Sequence, residues 1–398
     1  MSHILENIRV IDITQALAGP YCTMMLGDMG ADVIKIERPG AGDQSRGWGP
    51  PFVEGESTYF LSVNRNKRSL TLNIKSEAGR EIIHRLAQTA DVFVCNIPRR
   101  VSRQGAGLDE ETLRPLNPRL IYCLISGYGQ DGPQAERPGY DLLAQGEAGL
   151  MSLTGEPVPD GEPYRYPIPI ADITAGLYSA IGIIGALYAR ERTGQGQVID
   201  VSLLESQTAW LTMLASAYLN AGVEAPRLGN LHPNIMPYQV IRAQDKYVII
   251  TVGTEKLWHS FCQAMGLLHL RDDPRFATNR DRIAHREELT AILEEVFATQ
   301  TASDWLEKLQ AVGIPCGPIN SLPETLSHPQ HRARNFIVEL EHPLAGLVRS
   351  MGNPIRYSEG GIEYRLPPPL LGQHNADILA ELNYSAPEID RLRQDGTI

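Results

Sequence analysis

Asp172 stands where the extended, proline-stiffened run Tyr166-Pro167-Ile168-Pro169-Ile170-Ala171 gives way to an apolar stretch beginning Ile173-Thr174-Ala175-Gly176. The pattern predicts a helix from Ile173 with Asp172 as its N-cap, because Asp accepts readily from first-turn N–H groups and the helix dipole favours its anion there. A carboxylate held ionised, with small neighbours that admit another molecule, has the makings of a nucleophile. Capping alone explains an aspartate at such a junction, so the chemical reading needs support from the rest of the chain.

That support begins with basic residues placed in loops. Arg38 follows Ile36-Glu37, and Arg46 lies eight residues on. Asn64-Arg65-Asn66-Lys67-Arg68 precedes an apolar run, Arg99, Arg100 and Arg103 follow Asn96, and Arg137 follows a glycine-rich segment. Loops at the carboxyl edge of a parallel sheet converge, so such side chains can surround an anionic ligand. Solvated surface charge is the plain alternative for any one of them. The string Gly127-Tyr128-Gly129-Gln130-Asp131-Gly132 imitates a dinucleotide-binding motif. It lacks the helix that should follow and does not sit at the first strand–helix turn, so a turn-rich loop is expected. H-E-x-x-H, G-x-x-x-x-G-K-[ST] and G-x-S-x-G are all absent. His232, in a His-Pro-Asn turn, can border a cleft or simply shape the turn.

The elements that must position these groups follow from hydrophobic patterning. Strands are predicted at Arg9–Ile13, Ala31–Ile36, Leu70–Ile74, Asp91–Cys95 and Leu120–Ile125, and helices at Pro20–Met29, Glu77–Ala90 and around Glu110–Leu116. Short apolar runs separated by helices imply a doubly wound parallel sheet, with ligands bound beyond its carboxyl ends. Gln197–Val201 and a long helix over about 204–220 read as leading away from that domain. A hairpin, Tyr238–Ile241 with Tyr247–Ile250, then introduces helices near 256–265, 286–299 and 302–312. The fold class is therefore α/β, a large doubly wound domain plus a smaller α+β domain. The expected boundaries are 1–200 for the first part of the large domain, 201–224 for a linker helix, 225–319 for the small domain and 320–398 for a return segment completing the large one.

Composition limits the alternatives. The chain has 398 residues, 42% hydrophobic and 21% charged, as a folded globular protein does. Its net charge of −11 argues against a dominant nucleic-acid or anionic-membrane surface. The segment Met1–Asn7 does not read as a secretory leader, and the stretch 173–189 reads as a glycine-interrupted core helix, so no membrane association and a cytoplasmic location are expected. Five scattered cysteines indicate neither a disulfide framework nor a zinc site, and no metal is expected.

Several runs together are far more specific. They are Leu17-Ala18-Gly19-Pro20-Tyr21-Cys22, Gly30 through Asp43, Asn64-Arg65-Asn66-Lys67-Arg68-Ser69, Gly127-Tyr128-Gly129, Pro138-Gly139-Tyr140-Asp141 and Asp172. With them the full length of the chain resembles the class III CoA-transferase family. The runs Trp48–Val53, Glu56–Tyr59 and Pro367–His374 bring it nearest to the succinyl-CoA:dicarboxylate group. The resemblance implies coenzyme A thioesters as substrates with no permanently bound cofactor, a small carboxylic acid as partner substrate, and an interlocked-ring homodimer. It implies Asp172 as the nucleophile, and Arg38, Leu72, Asn73, Ile74, Lys75, Asn96, Ile97, Arg103, Arg137 and Tyr140 as CoA contacts. Leu17, Ala18, Arg46, Arg65, Asp141 and His232 become candidates for the substrate pocket.

Within that family, Leu17 replaces the glutamine of formyl-CoA enzymes and Asp141 their glutamate, which disfavours an oxalate/formate enzyme. Cys95-Asn96-Ile97 departs from the usual Glu-Asn-Phe. Acyl-CoA racemisation on the same fold would need a histidine beside Gly139, where this chain has Tyr140. A nicotinamide-binding or non-catalytic α/β protein is the third reading, weakened by the displaced glycine string. Transfer is the expected reaction, with the acceptor open among malate, citramalate, itaconate, mesaconate, glutarate and similar acids.

Overall fold

Six short runs of aliphatic and β-branched residues form the central sheet: β1 Arg9–Asp12, β2 Asp32–Glu37, β3 Lys67–Thr71, β4 Val92–Cys95, β5 Ile121–Ser126 and β6 Val198–Ser202. The computed structural model describes residues 3–159 and 161–398. Met1 and Ser2, which belong to the N-terminal run considered above, and Asp160 lie outside it. All five pairings are parallel, in the order β3-β2-β1-β4-β5-β6. Ile11 is matched with Ile34 on one side and Phe93 on the other. This is the doubly wound order whose direction reverses between β1 and β4, the crevice where ligands of such sheets bind.

Strands buried on both faces need apolar cover above and below. One layer includes Ile82, Ile83 and Leu86 of the helix α2 (Glu77–Thr89), packed with Ile34, Phe93 and Tyr122. The other combines Cys22 and Leu26 of α1 (Ala18–Asp28) with Ala171, Ala175, Ala180 and Ile183 of α4 (Ile170–Thr193), against Val10, Val92 and Ile121. Between these helices in the sequence lies α3 (Asp141–Glu147), and after α4 and β6 comes α5 (Leu203–Thr208).

Three expectations are corrected. Gln197–Val201 does not lead out of the large domain; it supplies β6, which pairs with β5 (Tyr122 with Val198). The third strand begins at Lys67, not Leu70, so the basic run 64–68 enters the sheet instead of forming a phosphate loop. The helix carrying Asp172 begins at Ile170, with Pro169 at the cap position and no side-chain cap of its own. Proline is compatible with a helix start because its fixed φ suits it and its missing N–H costs nothing there.

The chain divides into two compact units. Met1–Leu150, Arg165–Thr212 and Pro329–Ile398 form one, and Met151–Tyr164 with Met213–His328 form the other. These divisions differ from boundaries at 200, 224 and 319. The excursion 151–164 is rich in proline and glycine, which marks a break but not which unit the segment joins, and the run expected as one linker helix breaks at Thr212, whose φ is 29°. In the second unit, α6 (Thr212–Ala221) precedes an antiparallel sheet, β7 (Tyr238–Arg242), β8 (Tyr247–Thr251) and β9 (Cys316–Pro318), with β8 central. Its core is built on Trp258, Phe261, Phe297 and Trp305.

Candidate active site

The carboxyl ends of β1, β4 and β5 open into a cavity of about 390 Å³. Gln15, Ala16, Leu17 and Ala18 come from the turn after β1, Asn96, Ile97 and Pro98 from the turn after β4, and Ser126 and Gly127 from the end of β5. Gln44, Trp48, Pro138, Gly139, Tyr140, Asp141, Asp172 and Leu203 complete the wall. The sheet's reversal thus places residues more than 150 positions apart around one space.

Asp172 reaches that space because α4 lies unusually close to the turn before α1. A Cβ on Gly176, one turn after Asp172, would come within 2.6 Å of the Ala18 carbonyl oxygen, so only glycine permits this approach. The α4 N-terminus is capped from elsewhere. Asp141 Oδ1 accepts from the Ala171 N–H at 2.8 Å and the Asp172 N–H at 3.5 Å. Gln145, fully buried, donates to Asp141 Oδ2 at 2.7 Å and accepts from the Tyr166 N–H at 2.8 Å. Gly127 and Gly139 carry this arrangement further. A Cβ on either would lie 2.1–2.4 Å from the other's Cα, so their backbones touch and bring Tyr140 and Asp141 to the end of β5.

The electrostatics of Asp172 also differ from expectation. Partial burial, reinforced by the negative charge of Asp141, raises its pKa from the ordinary value to about 7. A cap position was expected to hold the anion ionised; desolvation and a second carboxylate win instead. Tyr59 stands against Trp48, edge to face with ring centroids 4.8 Å apart. Its hydroxyl is pushed up to about 12 by burial and then by the charges of Asp172, Asp141 and Asp43. The position therefore pairs an accessible carboxyl with water-poor walls.

The sequence candidates separate into distinct groups. Leu17, Ala18, Asn96, Ile97, Tyr140, Asp141 and Asp172 all line the cavity. Arg38 and Lys75 are exposed beyond the ends of β2 and β3. Leu72 is buried, Ile74 packs on the core, and Asn73 accepts from the Lys75 N–H at 3.2 Å. Arg137 pairs with Glu147 at 2.8 Å and stacks over Tyr128.

Four cations are committed inside the chain. Arg46 binds Glu37 twice, each at 2.7 Å, and lies over the Phe60 ring. Arg65 forms a fork with Asp28 at 2.6 and 2.9 Å. Lys67 pairs with Asp12. Arg103 is buried and clamps the Ile97 and Pro98 carbonyls at 2.8 and 3.0 Å, shaping the cavity wall from behind. His232 belongs to the second unit, where it packs on Tyr238 and accepts from the Asn234 N–H. Gln15, Ala16, Gln44, Trp48, Pro98 and Ser126 were not singled out as site residues. Their only common sequence signal is position, just after or within two turns of a strand's carboxyl end.

A doubly wound parallel sheet with Asp172 in the cavity at its switch point defines an α/β architecture with a carboxyl-bearing site. Residues 5–375 match the family model described as CoA-transferase family III. The chain is 44% identical over 396 residues to the mouse (Mus musculus) succinyl-CoA:glutarate CoA-transferase, covering 99% of this chain and 90% of that one. It is 43% identical over 384 residues to the succinate–glutarate CoA-transferase of Agrobacterium fabrum, covering 95% of each. A crystal structure of a CAIB/BAIF family protein from Brucella suis superposes with a TM-score of 0.86 at 42% identity, covering 96% of this chain and all of that one. The chain belongs to CoA-transferase family III.

Proposed function

We propose that the protein moves CoA from succinyl-CoA to a small dicarboxylic acid of the glutarate kind, using Asp172 as a covalent carrier. The observation that carries this is Asp172 itself, a carboxyl of raised pKa in a cavity at the sheet's switch point. The printed activities of the mouse and Agrobacterium relatives support the substrate class.

The ionised Asp172 oxygen attacks the thioester carbonyl, the C–S bond breaks, and a mixed anhydride forms with release of CoA thiolate. The thiolate then attacks the aspartyl carbonyl, which expels the donor carboxylate and leaves an aspartyl-CoA thioester. The acceptor carboxylate attacks that thioester, giving a second anhydride and thiolate. Thiolate attack on the acceptor acyl carbon yields the new acyl-CoA and regenerates Asp172. Acyl activation is conserved at each step, so the cycle asks for no ATP and no resident cofactor. Water must be kept out, because hydrolysis would discard the activation. Arg38 and Lys75, exposed on the carboxyl rim, are suited to the CoA phosphates.

The same reading makes the protein an interlocked homodimer. Ile181 and Tyr188, 64% and 68% exposed on α4, together with Tyr178 and Ile184, form an apolar stripe on a helix otherwise built for a core. In the second unit α6 has Met213, Tyr218 and Leu219 exposed and no buried residue. Such faces are costly to leave in water and suit a second copy.

Replacing Asp172 with Asn tests the carrier role. The variant should fold, and above pH 7 should melt no lower than wild type. A group whose folded pKa is raised loses stability as pH rises through that value, and a neutral amide removes this loss. It should show no transfer from succinyl-CoA to any member of a dicarboxylate panel, read by mass of the CoA thioesters. In wild type, hydroxylamine added after succinyl-CoA alone should mark the peptide containing Asp172. Transfer by the variant, or label confined to another peptide, would return Asp172 to a structural role.

A further inference from the structure

The turn Thr14–Ala16, whose last two residues line the same cavity as Asp172, is gripped at every residue by side chains from three strand ends. Thr14 donates to Asp12 Oδ1 through its N–H (2.9 Å) and its hydroxyl (2.5 Å), and its carbonyl accepts from Lys35 Nζ at 2.9 Å. Gln15 exchanges two bonds with the Asn96 amide, donating its N–H to Oδ1 at 3.1 Å and accepting from Nδ2 at 2.9 Å. The Ala16 N–H donates to Asp43 Oδ1 at 3.1 Å. Asp43 is in turn held by the Ser45 N–H and hydroxyl and by Lys35 at 2.8 Å. Burial opposes its charge, but Lys35 together with the Ser45 and Ala16 N–H groups outweighs it and holds the carboxyl below its ordinary value.

Ala16 sits at φ 66°, a left-handed conformation that costs a residue with a Cβ about 1–2 kcal/mol. No glycine relieves it, so the surrounding bonds must impose it. The consequence reaches the cavity directly. The two residues after Ala16 are the wall residues Leu17 and Ala18, Leu17 packs with Ile173 beside Asp172, and the Ala18 carbonyl is the group that Gly176 admits. A turn released at Ala16 would shift the wall opposite the carboxyl without touching Asp172.

We infer that Asp43 is a positioning residue for acyl transfer, which locks Ala16 in its left-handed conformation and thereby fixes the Leu17–Ala18 wall against Asp172. This rests on the Asp172 carrier reading proposed above. Asn96, which also lines the cavity, holds the same turn through its side-chain amide.

Three variants test it: Asp43→Ala, which removes the acceptor; Asp43→Asn, which keeps an acceptor oxygen for Ala16; and the double variant Asp43→Ala/Ala16→Gly, which also removes the Cβ that opposes the left-handed φ. Each is assayed for kcat and for KM of succinyl-CoA well below its Tm, and for hydrogen exchange of the peptide spanning 14–21. Asp43→Ala should exchange faster and lose about 30-fold or more in kcat with little change in KM, since small misplacements at a reacting centre carry factors of that size. Asp43→Asn should recover most of that loss. The double variant should recover part of it, because glycine reaches the same φ without the imposed bond. If Asp43→Ala fails to fold, the double variant carries the test, with kcat below wild type and faster exchange expected. Wild-type kcat or unchanged exchange in folded Asp43→Ala, or in the double variant where only that folds, overturns the positioning role. A wild-type protein that transfers no CoA removes the reaction, and this role with it, whatever the exchange shows.

Discussion

At the scale of single residues, the site turns on two carboxyls with different duties. Asp141 spends its charge on the N–H groups of α4 and on Gln145, and Asp172, one helical turn away from its own cap, bears the electrostatic consequence. The proposed carrier role needs the Asp172 anion, so kcat/KM should rise with pH as a single ionisation centred near 7 and level off above it. Asp141→Asn keeps an acceptor for Ala171 but removes the second charge, so its pH–rate midpoint should move to lower pH. A midpoint left in place would show that burial alone sets the value. Asp172 was legible as a candidate because of its junction and its company in the sequence. Its ionisation was not, because Asp141 lies 31 residues away and nothing in the local pattern shows that the two share a helix terminus.

At the scale of elements, α4 is the part that delivers Asp172 to the cavity, and its position depends on Gly176. Gly176→Val would drive a branched side chain into the Ala18 carbonyl, a backbone atom that cannot swing aside. The expected cost is about 1–3 kcal/mol. Transfer should fall more steeply than stability, as thermal melts and initial rates on the same sample would show. Wild-type activity in a folded Val variant would mean that α4 has slack the geometry does not suggest. The strands β1, β2, β4 and β5 were readable because each carries a short apolar run, interrupted only at Lys35 in β2. β3 was misplaced because Lys67 and Arg68 mimic a loop, whereas Lys67 is fully buried and satisfied by Asp12, Asn64 and the Pro20 carbonyl. β6 was separated from the sheet because the 24-residue α4 intervenes, and sequence alone does not say where a chain returns. Arg46 and Arg65 were misjudged for a related reason. Their partners, Glu37 and Asp28, lie 9 and 37 residues away.

At the scale of the whole molecule, the exposed apolar stripe of α4 and the unburied α6 bear on the proposed dimer. Sedimentation at micromolar protein should give a species of twice the 43.9 kDa chain mass. Replacing Ile181 and Tyr188 with charged residues should either release monomer or abolish soluble expression. A stable, fully active monomer would contradict the interlocked arrangement.

The outer edge of the sheet carries a further consequence, one of timing. Strand β3 presents free donors on its open side, and these are met from the far end of the chain. The Ser69 N–H donates to His374 Nδ1 and the Thr71 N–H to Asn375 Oδ1, while Asn66 receives the N–H groups of Arg365 and Leu366. Arg68 closes on Glu381 of the helix α7 (Asn375–Glu381), and the Asn73 N–H on the Thr397 carbonyl. A ribosome delivers β3 some 300 residues before these partners. Throughout that interval the nascent chain carries a sheet with a bare, pairing-competent edge. The cavity-bearing unit therefore cannot be finished until the segment 365–397 has been made and has reached that edge.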